Sequence, residues 1–164
     1  MIDEKVYRDK WLSQTFDEFV GFYNREFFCL DNFSSFGFDY NGVYYPTVEH
    51  AYQSLKFKGV APEIEKQIIE CHSAYDAQRI ARENADKQLE NWHDIKVDVM
   101  EQLVRAKLAQ YPYIKKKLLE TKDYKICEDS PKDAFWGIGP NRDGRNELGK
   151  IWMKLRDELK NQNI

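Results

Sequence analysis

Three polar side chains on one predicted helix raise the chemical question. The segment TVEHAYQSLKF, Thr47 to Phe57, places Glu49, Gln53 and Lys56 at separations of four and three residues. At 3.6 residues per turn Lys56 returns to within about 20° of Glu49, so one face carries an acid, an amide and an amine. Two turns, about 10 Å along the axis, separate the acid from the amine; that spacing brackets a ligand more readily than it closes an ion pair. Val48, Tyr52 and Leu55 fall on the next face and are expected to be the core side. A polar stripe on an amphipathic helix is often no more than a solvated face. Two other segments argue for more: an aromatic-rich run just before the helix, FGFDYNGVYY, and a late loop, EDSPKDAFWGIGPNRDGRN, from Glu128 to Asn146. The loop holds Asp133 three residues before Trp136, then Gly137, Gly139 and Gly144, with Arg142 and Arg145 among them. Glycines let a backbone approach a ligand closely, and arginines suit phosphate or carboxylate. The loop is also longer than connections built only for packing.

The remaining reactive residue types give less. His50, His72 and His93 have no metal-ligand spacing with one another or with Cys29, Cys71 and Cys127, so neither a metal site nor a cofactor is expected. His50 shares the Glu49 helix but points about 100° away, which predicts a structural, partly buried histidine. The cysteines read as small apolar fillers in a reducing, cytoplasmic setting. Trp92 opens a long helix after Asn91, where its ring either caps the core or stacks on a base. Arg79 and Arg82 lie on one helix face, either solvated or clamping a phosphate.

The elements that must position these residues follow from punctuation. Asn41-Gly42 between two aromatic runs predicts a hairpin with a type I′ turn. Weaker strands are expected at Phe22 to Phe28 and Tyr124 to Cys127. Helices are predicted from Val48 to about Lys58 behind the N-cap Thr47, over Pro62 to Cys71, over Ala74 to Glu83 behind Ser73-x-x-Asp76, over Trp92 to Gln110, over Tyr113 to Glu120, and over Glu147 to Lys160. Residues 1–20, with Trp11, Leu12, Phe16 and Phe19 at helical spacing, read as an N-terminal helical extension, and 21–164 as one domain. The expected fold is α+β, dominated by helices, with a small β-hairpin or sheet.

Composition narrows the partners. In 164 residues, 25 Lys and Arg stand against 28 Asp and Glu, a net charge of -3, which excludes a protein that coats a polyanion through excess basic charge. A small nucleotide fits. The 10 Phe, 10 Tyr and 4 Trp exceed what a core of this size usually needs, so some rings are expected at a ligand. With no long apolar run and no signal peptide, a soluble chain without a membrane partner is expected.

The same segments resemble the NADAR superfamily of YbiA-like proteins from Phe22 to Leu159. Four blocks match in order: Phe22-Tyr23 with Leu30-Asp31-Asn32-Phe33; Asn41-Gly42 followed by YPTVEHAYQSLKF; NWHDIKVDVM with Ala106-Lys107; and CEDSPKDAFWGIG with Gly144, Asn146, Leu148-Gly149 and Met153. The resemblance implies an N-glycosidase cleaving the bond between ribose C1 and a nitrogen. It implies two substrate classes, phosphoribosylated pyrimidine intermediates of riboflavin synthesis and ADP-ribose on guanine bases of DNA or RNA. By motif, Glu49, Trp92 and Asp133 match positions implicated in the glycosidase site, and Lys56 matches the lysine proposed to trap the opened ribose as a Schiff base. Asn32, Trp136, Gly137 and Asn146 match positions expected to line the same pocket, with Gln53 beside them and Arg82 and Arg145 as candidate phosphate holders. In a version without the lysine adduct, Glu49 or Asp133 activates water directly. The competing class is a binding module for ADP-ribose or a related nucleotide, which needs the tryptophans and arginines but not Glu49, Asp133 and Lys56 together.

Overall fold

The computed structural model describes residues 19–22 and 26–162. They form four strands and six α-helices: β1 (Phe19–Phe22), β2 (Phe38–Tyr40), β3 (Val43–Tyr45), α1 (Val48–Leu55), α2 (Pro62–Glu70), α3 (Ala74–Glu83), α4 (Trp92–Gln110), α5 (Pro112–Glu120), β4 (Lys125–Glu128) and α6 (Glu147–Gln162). Short 3-10 turns cover Phe28–Leu30 and Ala85–Lys87. The chain is α+β with helix in excess, as the sequence predicts. It divides into two compact units, residues 32–110 and residues 1–31 with 111–164.

In the unit of residues 32–110, β2 and β3 form the predicted hairpin with Phe38 opposite Tyr45. Asn41 and Gly42 both adopt positive φ, 50° and 79°, the backbone that a type I′ turn demands and that glycine tolerates without a Cβ clash. Gln110 at the end of α4 clamps the hairpin, accepting from the Asp39 N–H at 2.9 Å and donating to its carbonyl at 2.8 Å. Thr47 caps α1 by accepting from the His50 N–H. The helix ends at Leu55 instead of Lys58, because Phe57 and Lys58 donate three residues back, to Ser54 and Leu55, and Gly59 turns left-handed at φ 77°. Phe57, Ala61, Ile68, Ala77, Ile80 and Ala81 join in a buried cluster from α2, α3 and the turn after α1. Ser73 caps α3 as predicted, accepting from the Asp76 N–H.

In the other unit β1 runs parallel to β4, Phe19 opposite Lys125 through Phe22 opposite Glu128. The early strand thus lies upstream of its expected place, and Phe19 and Val20, assigned to a helical extension, stand in extended backbone. Backbone pairing with β4 sets the conformation there, where spacing alone suggested a helix. The rest of that extension lies outside the described residues. Leu30, Ile114, Leu118, Ile126, Leu148, Ile151, Trp152 and Leu155 are buried, and Trp152 Nε1 donates to the Leu30 carbonyl at 3.0 Å. Among the described residues no helix is long and apolar enough to cross a membrane.

Candidate active site

The α1 face carries the chemistry. Every residue from Val48 to Leu55 is buried, so the Glu49 and Gln53 stripe is no solvated surface: each of the two is only 5% exposed. Burying a carboxylate and an amide is costly unless each finds partners. Gln53 Nε2 donates to Glu49 Oε1 at 2.7 Å, one helical turn back, and so fixes the carboxylate. The Glu49 N–H, one of the donors a helix start leaves over, goes to the Asn32 carbonyl at 3.0 Å, which brings Asn32 to the N-terminal end of the same helix. Asn32 is itself buried and donates through Nδ2 to Met100 Sδ of α4 at 3.4 Å. Nearby on α4, the fully buried Lys107 donates to Ser34 Oγ at 2.8 Å, tying the 32–36 segment to that helix.

Lys56 closes the face at the other end. Its Nζ lies 5.2 Å from the Tyr52 ring centroid and 5.9 Å from that of Trp92. The two rings meet edge to face with centroids 5.1 Å apart. Trp92, at 2% exposed, is therefore both a core residue and a wall beside the amine. The Leu89 N–H donates to the Lys56 carbonyl at 2.7 Å and holds the start of α4 against the end of α1. Burial pushes the Lys56 pKa below its ordinary value; the Glu49 carboxylate pulls it back up and Lys96 of α4 adds to the lowering. A lysine deprived of water beside aromatic rings is the environment that frees an amine for nucleophilic work.

The rings that dry Lys56 are Tyr52 and Trp92, not the hairpin aromatics that the excess of rings pointed to. Phe38 and Tyr45 pack on each other at 6.0 Å between centroids, Tyr40 donates to Gln102, and Tyr44 faces solvent. Strand alternation divides these side chains between the core and the outside. His50 is buried beside the site as a structural residue. The Cys71 carbonyl can only accept, so Nε2 is the protonated nitrogen at 3.2 Å from it, and Nδ1 accepts from the Thr47 hydroxyl at 2.8 Å. Arg79 is held by Asp76 and Glu83, while Arg82 is exposed on the same helix. An open cleft of about 370 Å³ lined by Gln67, Cys71, His72, Asp76 and Arg79 lacks any pairing of an acid with a desolvated amine, and its one arginine is neutralised by carboxylates.

The second unit holds the late loop, whose internal bonding is dense. Asp133 Oδ1 accepts from the N–H groups of Phe135 and Trp136 at 2.8 and 2.7 Å, which makes it the pivot of the turn that presents Trp136. Trp136 packs edge to face on Phe135 at 4.9 Å, and Arg145 stacks on that same Phe135 ring at 4.7 Å while bonding Glu147. Asn146 is buried at φ 53°, and its amide serves both ends to β4: Oδ1 accepts from Glu128 N–H and Nδ2 donates to the Ile126 carbonyl. Gly137 does provide close backbone approach, but to protein: a Cβ there would stand 2.6 Å from the Glu128 carbonyl. Sequence reasoning had no signal for this, because turn-building and ligand-cradling glycines share one composition. Among the described residues no group of His, Cys, Asp and Glu could hold a metal.

The geometry now has relatives to set beside it. The family model for the NADAR domain matches residues 8–160. A riboflavin biosynthesis protein of Vibrio vulnificus is 40% identical over 130 residues, covering 79% of this chain and 35% of that protein. The chain thus spans about a third of that relative's length. An N-glycosidase of Nostoc punctiforme is 35% identical over 136 residues, covering 81% of this chain and 86% of its own. The NMR structure of the Escherichia coli protein YbiA superposes with a TM-score of 0.80 at 29% sequence identity, covering 93% of this chain and 94% of that one.

Proposed function

The chain belongs to the NADAR domain family, and from that premise we propose that it is an N-glycosidase that hydrolyses the bond between ribose C1 and a base nitrogen, using Lys56 as the nucleophile. The observation that carries this reading is the Lys56 amine, desolvated against Tyr52 and Trp92 with Glu49 on the same helix face. Relatives of similar length named N-glycosidase support the reaction class.

Glu49 and Lys56 work as a pair. Burial disfavours both charges, so part of the time the pair holds its one proton on Glu49 and leaves Lys56 as the free amine. That form holds a nucleophile and an acid. The Lys56 lone pair bonds to C1 as the C1 bond to the base nitrogen breaks with its electron pair leaving on nitrogen. The carboxylic acid supplies the proton that nitrogen needs, so the base departs neutral. The lysine nitrogen then sheds a proton, its freed lone pair forms the C1=N bond as the C1 bond to the ring oxygen breaks, and that oxygen takes the shed proton to become a hydroxyl. C1 is then joined to Lys56 as a Schiff base, to which water adds; collapse releases the free sugar and returns the amine. Gln53 holds the Glu49 carboxyl in one orientation throughout. Trp92 walls the pocket and Asn32 contacts the sugar. Within the unit of the late loop, Asp133 is the further candidate carboxylate, with Trp136 presented by its turn, Gly137 and Asn146 shaping that loop and Arg145 a candidate phosphate holder; in the unit of α1, Arg82 is the candidate phosphate holder.

For the substrate, the relative named for riboflavin biosynthesis favours a phosphoribosylated amino-pyrimidine. The deciding experiment assays that compound beside guanine carrying ADP-ribose, reading free base and free sugar. Release from the first alone supports the reading in full, release from the second alone moves the substrate to ADP-ribosyl guanine, and release from neither returns a binding module to the front.

A further inference from the structure

Two buried amide oxygens around Glu49 have no hydrogen-bond partner among the described residues: Gln53 Oε1 and Asn32 Oδ1. Each belongs to a residue at least nine-tenths buried. An orphaned acceptor in a dry interior forfeits a hydrogen bond it would have made to water, a cost of about 1–3 kcal/mol, and such orphans are few in folded proteins. The Gln53 orientation is not arbitrary. Its Nε2 donates to Glu49 Oε1 at 2.7 Å, an oxygen that accepts in the carboxylate and, as the carbonyl oxygen, still accepts in the acid, so the amide turns its NH2 toward Glu49 and its oxygen away. Gln53 also sits between Glu49 and Lys56 on the helix face, one turn from each. Asn32 carries the second orphan on the residue whose carbonyl caps the Glu49 N–H.

We propose that Gln53 Oε1 is a specificity-determining acceptor that reads the 2-hydroxyl of the sugar, so that this site selects ribose over 2-deoxyribose. This rests on the N-glycosidase reading above, which places C1 at Lys56. With C1 at the amine, the hydroxyl on the adjacent carbon is the donor that falls toward Gln53, and Asn32 Oδ1 supplies a further acceptor at the Glu49 end. Lys56, one turn further along the same face, is partly exposed, and its side chain must shift as it engages C1 for the hydroxyl to reach Gln53. Hydrogen bonds to a 2-hydroxyl also strengthen as charge develops at the anomeric carbon, and a site built around such a bond rejects the analogue that lacks it because its own buried group is left unpaired.

The test reads binding instead of turnover, because removing the 2-hydroxyl also weakens the glycosidic bond itself. Calorimetry with ribose 5-phosphate and 2-deoxyribose 5-phosphate is expected to show the deoxy sugar bound about tenfold or more weakly by the wild-type chain. In Gln53→Met the two sugars are expected to bind within about twofold of each other, through loss of ribose affinity. Equal affinities in the wild type overturn the proposal, as does no binding of either sugar at millimolar concentration. So does an unchanged preference in a Gln53→Met chain that melts as a folded protein. The wild-type comparison needs no variant, so a Gln53→Met chain that fails to fold leaves it decisive. A ribose preference without cleavage of any base would sink the N-glycosidase reading alone, whereas cleavage with no ribose preference would sink this one alone.

Discussion

Lys56 is the residue on which the account turns, and its surroundings make its titration testable. Burial lowers its pKa, Glu49 raises it and Lys96 lowers it further. The free amine should therefore appear at a pH below the ordinary lysine value of 10.5. The pH dependence of Lys56 labelling by an amine reagent, followed by mass spectrometry of its peptide, is expected to have its midpoint below that of the exposed lysines. Glu49→Gln removes the anion that favours the ammonium and should move the midpoint lower still. Lys96→Met removes a like charge and should move it higher. A midpoint indifferent to both changes would mean that neither charge is felt at Nζ. At this scale the sequence was informative where helical period alone decides: Glu49, Gln53 and Lys56 share a face because 3.6 residues per turn puts them there. It was silent on Trp92 standing beside Tyr52, because that contact joins two helices whose packing no local spacing encodes.

Among the elements, α1 is fixed at its start by a buried histidine. His50 is held neutral, its pKa lowered by burial and partly restored by the Cys71 carbonyl. The unfolded chain takes up the proton near pH 6.5, whereas the folded chain resists it to lower pH, so stability is full above 6.5 and falls as pH drops toward the folded value. Thermal melts between pH 8 and pH 5 are expected to show that loss in the wild type and a flatter dependence in His50→Gln. The late loop makes a different demand. Gly137→Ala should cost about 1–3 kcal/mol through overpacking against the Glu128 carbonyl, read as a lowered denaturation midpoint at unchanged slope. A neutral substitution would show that the loop relaxes freely. The helices and the Asn41-Gly42 hairpin were legible because caps, prolines and turn residues are local signals. The strand over Phe19–Phe22 was not, since its partner lies more than a hundred positions along the chain and only parallel pairing with Lys125–Glu128 defines it.

At the scale of the whole molecule, charge decides what kind of substrate is grasped. With 25 basic against 28 acidic residues, little affinity can come from releasing counterions along a nucleic-acid strand. A modified mononucleotide and the same modification within an oligonucleotide, if either is cleaved, should therefore differ by less than about tenfold in kcat/KM, with a shallow salt dependence. Steep salt dependence favouring the longer strand would reveal a basic surface that the composition conceals. The balance of charge and the surplus of aromatics were both visible in the sequence, but only the fold could say which rings serve the amine. All of this converges on one covalent event. Borohydride added during turnover of the phosphoribosylated pyrimidine, followed by peptide mass spectrometry, should find the reduced sugar phosphate on Lys56 and nothing on Lys56→Ala, which should retain its fold and lose cleavage. Turnover without any adduct, an adduct on another lysine, or near wild-type activity in Lys56→Ala would contradict the account.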